Sequence, residues 1–229
     1  LAIVEKQAAH LSVNGVKFAF ICGSTGESHS LTVDERRALA VRWMEVTRGS
    51  ALKVIVHVGT NCLADARALA AHAQSVGAAA VSALAPSYFK PRSVPSLVDC
   101  CAEIAGGCPE LPFFYYDIPA LTGFTLPMPD FLTQARERIP NLAGIKFTNA
   151  DLMMYQQTLR YDGGSANLLA DVDPQLLDGR GFVRVSLTNS RAVEMQEALN
   201  QLLHYPYGCV EQTTSSTMPW LRWPACAAL

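Results

Sequence analysis

The sequence predicts an α/β protein built on a parallel sheet covered by helices. Six runs rich in apolar, β-branched and aromatic residues recur along the chain, and segments with helical periodicity separate them. The runs are continuously apolar rather than alternating, the pattern of strands buried on both faces. Periodicity leaves two architectures open, a doubly wound sheet and a (β/α)8 barrel. The polar residues favour the barrel. Gly23, Ser24, Thr25, His57, Ser87, Tyr88, Tyr116, Asp117, Lys146, Thr148 and Asp173 all fall toward the C-terminal ends of their runs. Both architectures place sites at that edge, but a barrel draws residues from many strands toward one centre.

The elements follow in order. A helix over about 1–13 precedes the strand VKFAFICG (16–23). The helix over 33–48 opens with Thr32-Val33-Asp34-Glu35, a capping box in which the Thr32 and Glu35 side chains satisfy each other's backbone N–H groups. The strand LKVIVHVG (52–59), a helix over 62–76 and the strand AAAVSALAP (78–86) come next. The helix over 94–105 starts near Pro95, where proline suits a first turn. The strand PFFYYDIP (112–119) is ended by Ile118-Pro119, and the helix over 128–138 begins among Pro127 and Pro129. The strand LAGIKFT (142–148), a helix over 150–160 and the strand NLLADVD (167–173) complete the series.

Composition narrows the function. The 229 residues are 50% hydrophobic, ample for a core, and 18 Lys+Arg against 20 Asp+Glu give a net charge of −2 with no basic run. Nucleic acid is not an expected partner. No apolar run approaches the ~18 residues of a membrane span, and LAIVEKQAAH carries charge where a signal peptide needs an apolar region. The expectation is a cytoplasmic protein with no membrane partner. Seven cysteines, at 22, 62, 100, 101, 108, 209 and 226, form no C-x-x-C pair, so neither a disulfide framework nor a metal site is signalled.

Three places carry chemistry. The turn in ICGSTGES (21–28) lacks the Lys-Ser/Thr of a nucleotide loop and the G-x-G-x-x-G spacing of a dinucleotide fold. A small anion such as a carboxylate remains open there, against an ordinary strand-to-helix turn. In LAGIKFT a period of two sends Leu142, Gly144, Lys146 and Thr148 one way and Ala143, Ile145 and Phe147 the other, so the lysine faces the interior. A buried amine of lowered pKa is a nucleophile toward carbonyls, whereas at a frayed strand end it would only reach water. Tyr116 is either a proton relay beside it or a core aromatic.

GSTGES, HVG, APSYFKP, YYDIPALTG and GIKFTNADL occur in an order and spacing that resembles the N-acetylneuraminate lyase/dihydrodipicolinate synthase family of class I aldolases over about residues 1–178. The last two motifs resemble the lyase branch more closely. The resemblance implies a (β/α)8 TIM barrel, a homotetramer, no metal or organic cofactor, and a small-molecule 2-oxo acid substrate. The implied reaction cleaves N-acetylneuraminate, or a related acid, to pyruvate and an aldehyde. In that scheme Lys146 forms the Schiff base and Tyr116 shuttles the proton of the C4 hydroxyl. Ser24, Thr25 and Gly26 hold the pyruvoyl carboxylate, and Thr148 and Asp173 contact substrate. Against the family pattern the chain starts inside the first helix and shows no recognisable eighth strand, so the expected barrel is truncated at both ends. Asp171 and Pro174 stand where lyases carry glycine and glutamate, which predicts weakened sugar selectivity.

Residues 181–229 read as a separate, mostly helical tail, the partial barrel occupying 1–180. Within it YPYGCVEQTTSS resembles the thioester region of bacterial α2-macroglobulin-like proteins, which implies that Cys209 and Gln212 could condense. The alternatives to an aldolase are therefore a catalytically impaired fragment or fusion, and a thioester-bearing binding fragment.

Overall fold

The computed structural model describes residues 1–170. Their order is α1 (Ile3–Val13), β1 (Phe18–Ile21), α2 (Val33–Val46), β2 (Lys53–His57), α3 (Leu63–Ser75), β3 (Ala80–Ala83), α4 (Val94–Ala105), β4 (Phe113–Asp117), the four-residue α5 (Pro119–Thr122), α6 (Met128–Arg138), β5 (Leu142–Phe147), α7 (Leu152–Leu159) and β6 (Leu168–Ala170). The expected strands and helices of this region are all present, with ends trimmed by a few residues. The features expected of Asp171, Asp173, Pro174, Cys209, Gln212 and the 181–229 tail lie outside the described residues.

Local chemistry explains the boundaries. Thr32 Oγ1 accepts from Glu35 N–H at 3.2 Å while Thr32 N–H donates to Glu35 Oε2 at 2.9 Å, which starts α2 as anticipated. Ser93 and Ser96 cap α4 in the same reciprocal way, ahead of a stripe of Leu97, Val98, Cys101, Ile104 and Ala105 that is buried at helical spacing.

All six strands are parallel and lie side by side in chain order. A doubly wound sheet reverses its strand order at a switch point, and here no reversal occurs. One face packs on the helices: Val54, Val56, Val81, Ala83, Phe113, Tyr115, Ile145 and Phe147 share a cluster with helix residues such as Leu69, Leu97 and Phe131. On the other face Ile55, Ala80 and Phe114 pack with Phe20 and Ala143, and Leu84, Tyr116 and Ile118 form a second group with Phe20. Phe20 of β1 meets the Tyr116 ring of β4 at 5.6 Å, and Nζ of Lys146 on β5 lies 5.3 Å from the Phe20 ring centre. In a flat sheet β1 and β5 would be about 19 Å apart. The sheet is therefore curled so that its inner side chains converge, as in the wall of a (β/α) barrel.

The face assignment along β5 needs one correction. Phe113 pairs with Leu142 but Phe114 pairs with Gly144, so a bulge inserts one extra residue. The strict period of two fails at that point: Ala143 turns to the inner cluster and Leu142 packs against the helix side, the reverse of the sequence expectation. Beyond the bulge, Ile145 and Phe147 face the helices as expected. Gly144 makes the bulge possible. Its φ is +156°, and a Cβ there would overlap the Asn167 carbonyl oxygen that accepts the Ile145 N–H at 3.0 Å.

Gly144→Ala should therefore combine backbone strain with a clash against β6 and destabilise the fold by about 2–5 kcal/mol. Urea unfolding followed by circular dichroism checks this; an unchanged midpoint would show that β6 is not held where described.

Candidate active site

The site lies where β1, β2, β4 and β5 end. Past β1 the chain turns sharply, with Cys22 at φ +55° and Glu27 at φ +52°. Glu27 N–H donates to Ser24 O at 3.1 Å and Ser28 N–H to Gly23 O at 3.3 Å, closing a compact turn. Gly23 leaves room for the Phe20 ring beneath it: a Cβ there would come within 2.7 Å of the ring edge, so the ring would have to shift. Ser24 Oγ is buried and has no hydrogen-bond partner among the described residues, while Thr25 and Gly26 are exposed. An unmatched buried hydroxyl costs about 1–3 kcal/mol, which a bound acceptor would relieve.

His57 holds this turn in place. Its ring is fully buried; Leu84 N–H donates to Nε2 at 3.3 Å, so the proton sits on Nδ1 and donates to the Cys22 carbonyl at 2.8 Å. The imidazole thus links the ends of β1 and β3 from the end of β2. It also packs edge-on against Tyr116, ring centres 5.7 Å apart. Behind it the buried Arg36 of α2 donates to His57 O at 2.8 Å and to Gly59 O at 3.2 Å. Burial, reinforced by the Arg36 charge, holds the imidazole down at about 3, so the ring is neutral at physiological pH. Gly59 completes the HVG motif: a Cβ would lie 2.8 Å from the Leu84 backbone and 3.0 Å from His57 Nε2.

Tyr116 and Lys146 are register partners on β4 and β5. Tyr116 is buried, Lys146 is half-buried, and Nζ stands 4.4 Å from the centre of the Tyr116 ring. The amine also donates to Thr148 Oγ1 at 2.9 Å. Asp117 follows Tyr116 and is buried; Asn149 Nδ2 donates to its Oδ2 at 3.1 Å, and burial pushes the carboxyl up to about 6 despite that bond.

Of the residues anticipated from sequence, Lys146, Tyr116 and Thr148 are thus brought together. Phe20 and His57 connect them to the Ser24–Gly26 turn. Asp173 lies outside the described residues. Sequence reasoning placed His57 and Asp117 on the right edge without assigning them a part in the site, and it missed Arg36 and Asn149 entirely. An amine over a phenol, on the same strand-end rim as a turn with an unmatched hydroxyl, can condense with a carbonyl compound that also bears an anion. Among the described residues no group of three His, Cys, Asp or Glu could hold a metal, and no helix is long and apolar enough to cross a membrane.

The profile of the dihydrodipicolinate synthetase family matches residues 2–180. The N-acetylneuraminate lyase of Xenopus tropicalis is 43% identical over 171 residues, covering 73% of this chain and 54% of that protein. N-acetylneuraminate lyase A of Xenopus laevis is 40% identical over 183 residues, covering 80% and 60%. Among solved structures, N-acetylneuraminate lyase (sialic acid aldolase) of Aliivibrio salmonicida superposes with a TM-score of 0.71 at 41% identity, covering 77% of this chain and 58% of that one. The Proteus mirabilis N-acetylneuraminate lyase gives 0.72 at 35%, covering 78% and 60%. The chain spans little more than half the length of these relatives.

The two shifted groups of the site oppose each other in acid. His57 takes up its proton in the unfolded chain near 6.5 but in the folded chain only near 3, so its contribution is complete above 6.5 and is lost as pH falls between those values. Asp117 behaves inversely, favouring the fold below 3.8 and losing that contribution as pH rises through about 6. Asp117→Asn removes the second effect. The variant should lose about 2 kcal/mol more stability than the parent between pH 6 and pH 4, as measured by urea unfolding at each pH; parallel pH profiles would show that the Asp117 carboxyl is not shifted.

Proposed function

The chain belongs to the dihydrodipicolinate synthetase family, and from that premise we propose that it is a Schiff-base aldolase that cleaves N-acetylneuraminate, or a related 2-oxo-4-hydroxy acid, to pyruvate and an aldehyde, N-acetylmannosamine in the first case. The observation that carries this reading is Nζ of Lys146 poised 4.4 Å over the Tyr116 ring on paired strand ends. The named activity of the lyase relatives supports the choice of substrate class.

In this mechanism the Lys146 amine adds to the C2 carbonyl, and loss of water gives an iminium. The iminium draws electrons from the C3–C4 bond, which breaks as the C4 hydroxyl proton is removed and the aldehyde leaves. Tyr116 relays that proton, passing its own phenolic proton to the substrate carboxylate or to water. The remaining enamine is protonated at C3, and hydrolysis frees pyruvate and the amine. Ser24 Oγ with the Thr25 and Gly26 backbone N–H groups grips the carboxylate, so that substrate supplies the partner that the buried hydroxyl lacks. Thr148 orients the lysine through the bond it already accepts. No metal or organic cofactor enters any step.

Self-association belongs to the same proposal. Tyr88 and Phe89, beside the site, are 79% and 86% exposed and stack edge-to-face at 5.0 Å, an apolar pair suited to burial against another copy.

Borohydride added with pyruvate should fix a pyruvate-derived mass on the peptide containing Lys146, and Lys146→Arg should abolish it because a guanidinium stays protonated. Tyr116→Phe should retain the fold while slowing turnover about a hundredfold or more. Label on another lysine, or none in a folded sample, would reject the assignment.

A further inference from the structure

Asp117 is a buried carboxyl that the aldolase chemistry does not use. It directly follows Tyr116 on β4, and its backbone lies in register with Phe147, the residue after Lys146. Two bonds tie it to the segment beyond the lysine. The Thr148 N–H donates to Asp117 O at 2.8 Å, and the Asn149 side-chain amide donates to Asp117 Oδ2 at 3.1 Å. Thr148 in turn holds Lys146 Nζ through its hydroxyl at 2.9 Å. The chain of contacts therefore runs from the Tyr116 strand through Thr148 to the lysine amine.

Past Phe147 the β5 segment leaves the sheet, and only a short loop separates it from the start of α7. Asp151 caps that helix by accepting from Met154 N–H at 2.9 Å, and Asn149 Oδ1 accepts from Asp151 N–H at 3.0 Å. Asn149 thus uses its oxygen to hold the start of α7 and its amide nitrogen to hold Asp117. A buried carboxyl is expensive to retain without a partner, and at this position it joins strand β4, the end of β5 and α7.

We propose that the Asp117–Asn149 pair is a positioning clamp for the reaction assigned above, fixing Thr148, and through it the Lys146 amine, against Tyr116. This inference rests on the aldolase reading. Asp117 and Asn149 are positioning residues and contact no reacting atom. Displacing a reacting group by about an ångström costs up to about a hundredfold in rate, and the clamp guards against a displacement of that kind.

The test times borohydride-trapped pyruvate at Lys146 by peptide mass spectrometry in the wild type, Asp117→Ala, Asn149→Ala, the double variant and Asp117→Asn. Half-saturating pyruvate and Tm are measured alongside. The clamp predicts that each alanine variant slows maximal trapping about ten- to a hundredfold while half-saturating pyruvate changes little. The double variant should be no slower than the slower single variant, because both remove one interaction. Asp117→Asn, whose carboxamide oxygen can still accept the Asn149 bond, should recover most of the rate. Should Asp117→Ala fail to fold, Asn149→Ala alone decides, since it leaves the buried carboxyl in place. Wild-type labelling with unimpaired alanine variants, or with single effects that multiply in the double, overturns the clamp. Absence of label in folded wild type instead overturns the aldolase reading on which it depends.

Discussion

A neutral imidazole at the end of β2 sets the geometry on which the rest of the site depends. His57 can accept from Leu84 N–H only while Nε2 is unprotonated, and it can hold the Cys22 carbonyl only while Nδ1 carries the proton. One tautomer satisfies both bonds. Burial beside the Arg36 guanidinium excludes the charged form, so the environment that makes the residue costly to ionise also makes its hydrogen-bonding role unambiguous. Cys22 accepts a left-handed backbone because its carbonyl is held in this way, and the Ser24–Gly26 turn projects from that point.

The curled sheet separates stability from chemistry by face. Toward the helices the strands present aliphatic and aromatic side chains in one continuous cluster. Toward the interior, apolar residues fill the lower layer, and polar groups appear only near the strand ends, where Phe20 and Tyr116 form an aromatic floor under the lysine. Ser24 and Ser82 carry buried hydroxyls without partners among the described residues. Unsatisfied groups of this kind are unfavourable for folding and are retained mostly where function uses them.

The elements were legible in the sequence because parallel strands buried on both faces write themselves as short apolar runs, and the capping box and prolines mark the helix starts. Lys146 and Tyr116 stood out as polar groups at the ends of such runs. The inward and outward order of Leu142 and Ala143 was not legible, since the bulge is set by pairing with β4 rather than by local pattern. Arg36 was hidden for a similar reason: next to Arg37 in α2 it reads as one more surface charge, and only its bonds to His57 O and Gly59 O, more than 20 positions away, reveal that it is buried. Asp117 was visible on the rim, but Asn149, its partner 32 positions on, carries no signal of its own. The one-turn helix Pro119–Thr122 is too short to show a period.

The central claim is that the β1 turn, Tyr116 and Lys146 act as one site on a carboxylate-bearing carbonyl compound. A crystal structure of the protein after reduction with pyruvate and borohydride tests it most directly. The account predicts continuous density from Lys146 Nζ to the pyruvate-derived C2, with the carboxylate within hydrogen-bond reach of Ser24 Oγ and the Thr25 and Gly26 N–H groups, and with C3 pointing toward the Tyr116 hydroxyl. An adduct on Lys146 whose carboxylate turns away from the Ser24–Gly26 turn would contradict it.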